Sequence, residues 1–132
     1  TPIEALEMSF PLRVDCYELI PGSGGGGKFR GGLGARRAWT VLENNARASV
    51  CMERMKSPPF GIAGGANGSP ARATLKYPDG TQRALPSKGA FDVPAGGQVV
   101  LEAPGSGGYG DEAERDPTHI ASDRKDGYLD ET

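Results

Sequence analysis

The sequence predicts a mainly β protein: short antiparallel strands in a barrel-like or sandwich arrangement, with long glycine-rich loops and one short C-terminal helix. Three observations favour this fold class. Apolar and polar residues alternate in short runs with the period of a half-buried strand, and turn residues separate these runs. Glycine supplies 21 and proline 11 of the 132 residues, more than regular helices accommodate. A helix start signal occurs only near the end of the chain.

Length and composition limit what the chain can build alone. The 132 residues fit one domain, 1–132, and the apolar share of 36% is low for a chain that must form its own core. Ordering so much glycine also costs conformational entropy. We therefore expect the chain to complete its fold by burying surface against a partner, which would also cover exposed strand edges.

The charge balance argues against two classes of partner. The formal net charge is only -2, so no excess of lysine and arginine is available to neutralise a nucleic acid backbone or an anionic membrane. No run approaches the roughly 18 apolar residues of a membrane span, and residues 1–10 do not resemble a signal peptide. We expect a cytoplasmic protein that binds neither nucleic acid nor membrane.

The first strand is predicted at residues 12–20, where apolar and charged side chains alternate. Two further runs, 36–42 and 47–53, flank a short connection that contains two asparagines. Asparagine tolerates left-handed backbone angles, so this pattern predicts a hairpin.

A second hairpin is predicted from residues 73–77 and 82–85, because Pro78-Asp79-Gly80 between them is a strong turn signal. A third is predicted from residues 90–93 and 98–102, which flank a Pro-Ala-Gly-Gly connection. The chain should therefore contain at least six short strands.

The C-terminal helix is predicted at about residues 117–125. Asp116 is a suitable N-cap, Pro117 suits the first helical position, and Gly127 follows the expected end. Three glycine-rich segments are predicted to be loops, at residues 21–34, 58–68 and 104–110.

One of these loops imitates a phosphate-binding loop. Residues 22–28 satisfy the spacing GxxxxGK, in which backbone N–H groups cradle phosphates. However, Phe29 replaces the Ser or Thr that would hold Mg²⁺, and residues 30–34 are too rich in glycine to continue as the required helix. The same segment satisfies GxGxxG, again without a βαβ unit around it. We interpret it as a structural loop.

No residue is predicted to be catalytic or to bind a metal. His119 is the only histidine and has no further ligand or triad partner nearby in the sequence. The acidic cluster at residues 111–116 lacks the spacing of a calcium-binding loop. Cys51 has no neighbouring base that would activate its thiol.

Three cations are the first residues we would associate with a ligand: Lys28, Arg30 and Arg54. Fixed cations near glycine-rich backbone suit a carboxylate or a phosphate. The alternative interpretation, which we favour for such residues, is that they form salt bridges at the surface or at an interface.

Glycine and proline motifs recur in a fixed order along nearly the whole chain. They are Thr1-Pro2-Ile3-Glu4, Phe29-Arg30 with Gly31-Gly32-Leu33-Gly34, Pro58-Pro59-Phe60-Gly61, Ala63-Gly64-Gly65 with Gly68, Leu85-Pro86-Ser87-Lys88, Pro104-Gly105-Ser106-Gly107-Gly108-Tyr109-Gly110-Asp111, Glu114-Arg115-Asp116-Pro117, and Asp123 with Gly127-Tyr128. This succession resembles the C-terminal part of the hydantoinase B/5-oxoprolinase family. Members of that family are usually several times longer, so the resemblance implies a separate small subunit.

The resemblance implies a non-catalytic or interface subunit in a hetero-oligomer with larger hydantoinase B-like and hydantoinase A-like subunits. ATP and Mg²⁺ are expected on those partner subunits, and no cofactor is expected on this chain. The implied reaction is a biotin-independent, ATP-dependent ketone carboxylation of the acetophenone carboxylase type, which converts acetophenone and bicarbonate into benzoylacetate. Two alternatives remain: a subunit of an ATP-dependent hydantoinase or 5-oxoprolinase-type amidohydrolase, and a stand-alone scaffold or binding module.

Overall fold

The computed structural model describes residues 1–130, and Glu131 and Thr132 lie outside the described residues. The chain divides into two compact units, each made of three separated segments. The strand unit comprises Thr1–Glu18, Arg36–Glu53 and Arg72–Glu102, and the glycine unit comprises Leu19–Ala35, Arg54–Ala71 and the residues from Ala103 onward. The single domain predicted over residues 1–132 stays a prediction.

Seven strands form two sheets. They are β1 (Leu12–Leu19), β2 (Ala35–Val41), β3 (Ala46–Cys51), β4 (Arg72–Lys76), β5 (Gln82–Ala84), β6 (Lys88–Val93) and β7 (Gln98–Glu102). The first sheet has the order β1-β2-β7-β4-β5, and β3 pairs with β6 in the second. The predicted fold class is confirmed: mainly β and antiparallel, with a short C-terminal helix, although the described strands do not close into a barrel.

Much of the core of the strand unit lies on the face of the five-stranded sheet that carries Ala73 and Leu75, and Ala38 of β2 is buried on the opposite face. In the middle of the sheet, Val99 of β7 pairs with Trp39 of β2 on one side and with Leu75 of β4 on the other. Leu75 is 0% exposed, and most of the other buried side chains of this unit are small or β-branched. These residues are Ala38, Val41, Val50, Ala73, Leu85, Phe91 and Val93. Burial of so few large side chains yields a modest hydrophobic contribution, as the composition predicts.

The hairpin between β4 and β5 is confirmed. The two strands pair antiparallel, and Gly80 in the turn has a φ of 88°, which suits glycine. The Tyr77 N–H donates to the Thr81 carbonyl at 2.8 Å, and the Asp79 carboxylate accepts from the Thr81 N–H at 2.9 Å. Local turn chemistry therefore specifies this connection.

The other two predicted hairpins are wrong, although all four strands exist. β2 pairs with β7, and β3 pairs with β6, so neither β2 with β3 nor β6 with β7 forms a hairpin. Between β6 and β7 the chain passes from one sheet to the other, and Val41 at the end of β2 exchanges backbone hydrogen bonds with Gly96 and Gly97. Turn residues indicate that the chain reverses, but long-range burial decides which strand becomes the partner.

The C-terminal helix, α2, spans Pro117–Lys125 as predicted. The Asp116 carboxylate accepts from the Thr118 N–H at 2.8 Å, and Gly127 has a φ of 75° after the helix end. A 3₁₀ turn, Glu112–Glu114, precedes α2. No helix of the described residues 1–130 is long and apolar enough to cross a membrane.

An additional helix, α1 (Ile3–Ser9), was not predicted. Pro2 occupies its N-cap position without a capping side chain, and no side chain of α1 is buried. The sequence therefore contains neither a start signal nor an apolar stripe that would predict this helix. Its Glu7 carboxylate accepts a hydrogen bond of 2.8 Å from the Val14 N–H of β1, the edge strand of the five-stranded sheet.

The glycine-rich segments of the glycine unit bond directly to one another through their backbones. Gly25 donates to Ser106 at 2.8 Å, Ala66 donates to Gly26 at 2.8 Å, and Gly108 donates to Ala66 at 2.9 Å. At many glycines an added Cβ would come closer than 3.0 Å to backbone atoms of another segment, a distance that real Cβ atoms essentially never show. These include Gly25, Gly31, Gly65, Gly68, Gly105, Gly107 and Gly108. We call this arrangement the glycine lattice.

Two adjacent glycines test the lattice. A Cβ at Gly31 would collide with the Ser106 carbonyl oxygen, whereas a Cβ at Gly32 would meet only the Ser106 hydroxyl at 3.6 Å. We expect Gly31→Ala to lower the free energy of unfolding by about 2 kcal/mol or more, as overpacking does. Gly32→Ala should change it by less than about 0.5 kcal/mol. Urea unfolding followed by circular dichroism measures both, and equal tolerance at the two positions would contradict the lattice.

Candidate functional site

The glycine unit contains an open cavity of about 260 Å³, which we call the cationic cleft. It is lined by Lys28, Phe29, Arg30, Arg115, His119, Ser122 and Asp123. The last three project from one face of α2, since residues three and four apart are neighbours on a helix. The lining residues carry three formal positive charges, on one lysine and two arginines, against one negative charge on Asp123.

Asp123 joins the two arginines of the cleft. The Arg30 Nε donates to Asp123 Oδ2 at 2.7 Å, and Arg30 Nη2 donates to Oδ1 at 3.3 Å. The Arg115 Nη2 donates to the same Oδ2. The three side chains are 19%, 8% and 13% exposed for Arg30, Arg115 and Asp123, so solvent screens these ion pairs only in part. This cluster ties the segment that contains Arg30 to helix α2.

The environment of Asp123 favours its charged form. The hydrogen bond from Arg30 lowers the pKa of the Asp123 carboxyl below its ordinary value, partial burial opposes that shift, and the positive charges of Arg30 and Arg115 add to it. The cluster is therefore an ion pair over the neutral pH range.

The structure brings two of the three predicted cations to this cleft. Arg30 also donates from Nη1 to the Gly31 carbonyl at 2.7 Å and lies over the Tyr128 ring, so its guanidinium is largely engaged by the protein. The Lys28 ammonium lies 3.3 Å from a Glu114 carboxylate oxygen, and both side chains are about half exposed or more. Such an exposed pair is weak, so the Lys28 ammonium exchanges partners at little cost.

Arg54 does not line the cleft. It is exposed, has a left-handed φ of 64°, and its carbonyl accepts a hydrogen bond of 3.0 Å from the Ala71 N–H. Sequence reasoning missed Arg115, which lies in the Glu114-Arg115-Asp116-Pro117 motif but has no local feature that marks it as buried.

The chemistry of the cleft is that of ion pairing. Among residues 1–130, no group of three or more His, Cys, Asp and Glu side chains could hold a metal ion. The segment that imitates a phosphate-binding loop uses its N–H groups elsewhere, since Gly25, Lys28 and Phe29 donate to the carbonyls of Ser106, Gly110 and Tyr109. The next element in the chain is strand β2, so no helix begins directly after this loop.

A second cavity, of about 340 Å³, lies in the strand unit and is lined by polar side chains of the sheet. Three of its charged side chains, Asp15, Arg36 and Glu102, have partners within the protein. Arg36 donates to Glu18 at 2.9 Å and to Glu102 at 2.8 Å, while Asp15 accepts from the Gln98 amide at 2.7 Å. These groups stabilise the sheet, because each already has its partner.

The profile of the hydantoinase B/oxoprolinase family matches residues 1–112 of the chain. A protein of Pseudomonas sp. (strain NS671), named as the B component of a D-/L-hydantoinase, is 34% identical over 130 residues, which are 97% of this chain and 22% of that protein. The chain thus spans about a fifth of the length of the curated relatives it matches, or less.

Two solved structures share the fold. The crystal structure of the ATP-dependent caprolactamase from Pseudomonas jessenii aligns with a TM-score of 0.85 at 31% identity, over 97% of this chain and 23% of that chain. The nucleotide-free structure of an acetone carboxylase aligns with a TM-score of 0.73 at 19% identity, over 99% of this chain and 22% of that chain. The first likeness extends to sequence, and the second shows the fold alone.

The ion-pair cluster should make stability depend on pH. Because the pKa of Asp123 is lower in the folded than in the unfolded protein, its contribution is present above the unfolded pKa, near 3.9, and is lost as the pH falls through the folded pKa. Asp123→Asn should lower the free energy of unfolding at neutral pH by about 2 kcal/mol and reduce its decline in acid. Denaturant unfolding at several pH values measures both effects. Asp126→Asn, an exposed change at the end of the same helix, is the control, and an equal effect there would contradict the assignment.

Proposed function

The chain belongs to the hydantoinase B/oxoprolinase family, and on that premise we propose that it is a non-catalytic, interface-forming part of an ATP-dependent enzyme assembly that opens cyclic amides. The observation that carries the proposal is the alignment of nearly the whole chain with the ATP-dependent caprolactamase structure, in both fold and sequence. Hydantoins and caprolactam are both cyclic amides, so the relatives that exceed 30% identity and have a named substrate point to one class of substrate.

The proposed partners are larger hydantoinase B-like and hydantoinase A-like subunits, which would bind ATP and Mg²⁺. The names of two relatives support an assembly of several chains, because the hydantoinase relative is a B subunit and the caprolactamase relative is a β subunit. An ATP-consuming reaction also fits the cytoplasm, the compartment that the sequence predicts.

An aromatic patch on the glycine unit is the proposed contact surface for the hydantoinase B-like partner. It consists of Phe29, Ile62 and Tyr109, which are 55%, 56% and 53% exposed, and of Phe60, two residues before Ile62, which is 63% exposed. Phe29 and Tyr109 exchange backbone hydrogen bonds of 3.0 and 2.9 Å, their ring centroids are 6.4 Å apart, and Ile62 forms a β-bridge to Tyr109. Exposed apolar clusters of this kind mark protein interfaces.

The patch also explains how a chain with little apolar mass can bind tightly. Aromatic side chains held by a rigid backbone lose little entropy on docking, which makes them effective anchors. The glycine lattice supplies that rigidity, since Phe29, Ile62 and Tyr109 are bonded into it through their own backbones.

A second candidate is the ketone carboxylation expected from the sequence, with acetophenone as substrate. The likeness in fold to an acetone carboxylase supports a role in an assembly of that type. It takes second place because a shared fold does not determine the substrate.

The reaction class is testable on the purified assembly that contains this chain. We expect ADP release that depends on a cyclic amide, with caprolactam, a hydantoin and 5-oxoproline as the compounds to compare. Acetophenone with bicarbonate is the matched alternative. ADP release only with acetophenone and bicarbonate would favour the carboxylase, and release with none of these compounds would contradict both candidates.

The contact surface is testable by substitution. Tyr109→Ser should weaken retention of the hydantoinase B-like partner about tenfold, since an anchor residue contributes more than about 1 kcal/mol to binding. Turnover per assembled complex should be retained. Tyr17→Ser is the control, because Tyr17 is also a tyrosine and is 60% exposed but lies on β1 of the strand unit. Equal losses for the two variants, measured by pull-down with the tagged chain, would contradict the patch.

A further inference from the structure

Arg115 has more hydrogen-bonding capacity than its surroundings use. Its side chain is 8% exposed, and its Nη2 donates to Asp123. Its Nε–H is buried and has no partner among the described residues. Leaving such a group unpaired costs about 1–3 kcal/mol, and folded proteins rarely tolerate it without a reason.

The charges around Arg115 are also unequal. Arg30 and Arg115 both donate to the same Asp123 Oδ2, so one carboxylate faces two partly buried guanidinium groups. Lys28 also lines the cleft, where the Glu114 carboxylate at 3.3 Å offsets its charge, so these five side chains have an excess of one positive charge. A buried cation without a matching anion is unfavourable, and an additional oxyanion would restore the balance.

The polar cavity of the strand unit has the opposite arrangement. There one arginine, Arg36, is held between two carboxylates, Glu18 and Glu102. The lining of that cavity is balanced, with positive charges on Arg36 and Lys76 and negative charges on Asp15 and Glu102, whereas the cationic cleft has an excess of positive charge.

We propose that the cationic cleft binds one oxyanion, a phosphate or a carboxylate group, through Arg115 and Lys28. Lys28 is suited to this role because its existing pair with Glu114 is exposed and weak. Arg115 supplies a guanidinium that is fixed in place by Asp123, so little entropy is lost when a ligand binds.

Arg30 is a positioning residue, because its donors hold Asp123 and the Gly31 carbonyl. His119 and Ser122 of α2 also line the cleft.

The test uses the protein in the assembly that it forms, with [¹⁵N]arginine incorporated into this chain. Potassium phosphate and potassium acetate are titrated separately against potassium chloride at equal ionic strength and neutral pH. We expect a saturable shift of the Arg115 side-chain N–H resonances with at least one of the two anions, and the anion that binds more tightly identifies the ligand as a phosphate or a carboxylate.

Two variants and one control locate the site. Lys28→Met, at an exposed position, should weaken binding about tenfold without unfolding the protein. Arg115→Lys should weaken it at least as much, because a lysine lacks the planar guanidinium. Lys125→Met removes the same charge from an exposed position of α2 outside the cleft and should change the affinity less than about twofold.

Absence of a saturable shift with either anion, or equal weakening by Lys125→Met, would overturn the proposal. Phe29 belongs to both the cleft and the aromatic patch, but none of the cleft variants replaces it, and assembly and ADP release are measured separately from anion binding. The two proposals can therefore fail separately.

Discussion

Contact between main-chain atoms, with no side chain between them, is the constraint on which the glycine unit depends. Its segments approach so closely that peptide groups of one segment hydrogen bond to those of the next, as between Gly25 and Ser106 or Gly108 and Ala66. Stabilisation here comes from satisfied backbone hydrogen bonds and dense packing more than from the burial of large apolar side chains. This accounts for a folded structure in a chain with an apolar share of only 36%.

Secondary structure could be predicted where the signal is local. The turn at Pro78-Asp79-Gly80 and the capping residue Asp116 determine the β4–β5 hairpin and helix α2 through bonds within a few residues. The partners of β3 and β7 could not be predicted, because they depend on pairing with β6, β2 and β4, which lie far away in the sequence. The glycine-rich segments were predicted to be loops, but their mutual bonding has no sequence signature that a single chain displays.

The candidate site shows the same limit. Lys28 and Arg30 could be selected because they adjoin glycine-rich backbone, and the structure brings both to one cleft. Arg115 could not, since its ion pair joins it to Asp123 of α2 and no local pattern indicates that its side chain is 8% exposed. A family resemblance indicates which motifs matter but not which side chain is left with an unpaired donor. Because one fold accompanies a caprolactamase and an acetone carboxylase, substrate choice is not determined by the fold of this part.

The bond between Glu7 of α1 and the Val14 amide has a consequence for how copies of this protein meet. An outer strand with free amides recruits the same strand of another molecule, and the resulting ribbon can grow without limit. Because the Glu7 carboxylate accepts a hydrogen bond from one of those amides, that amide cannot pair with a strand of another molecule. The carboxylate also places negative charge at this edge. Helix α1 buries no side chain, yet it opposes pairing of β1 with the β1 strand of another molecule.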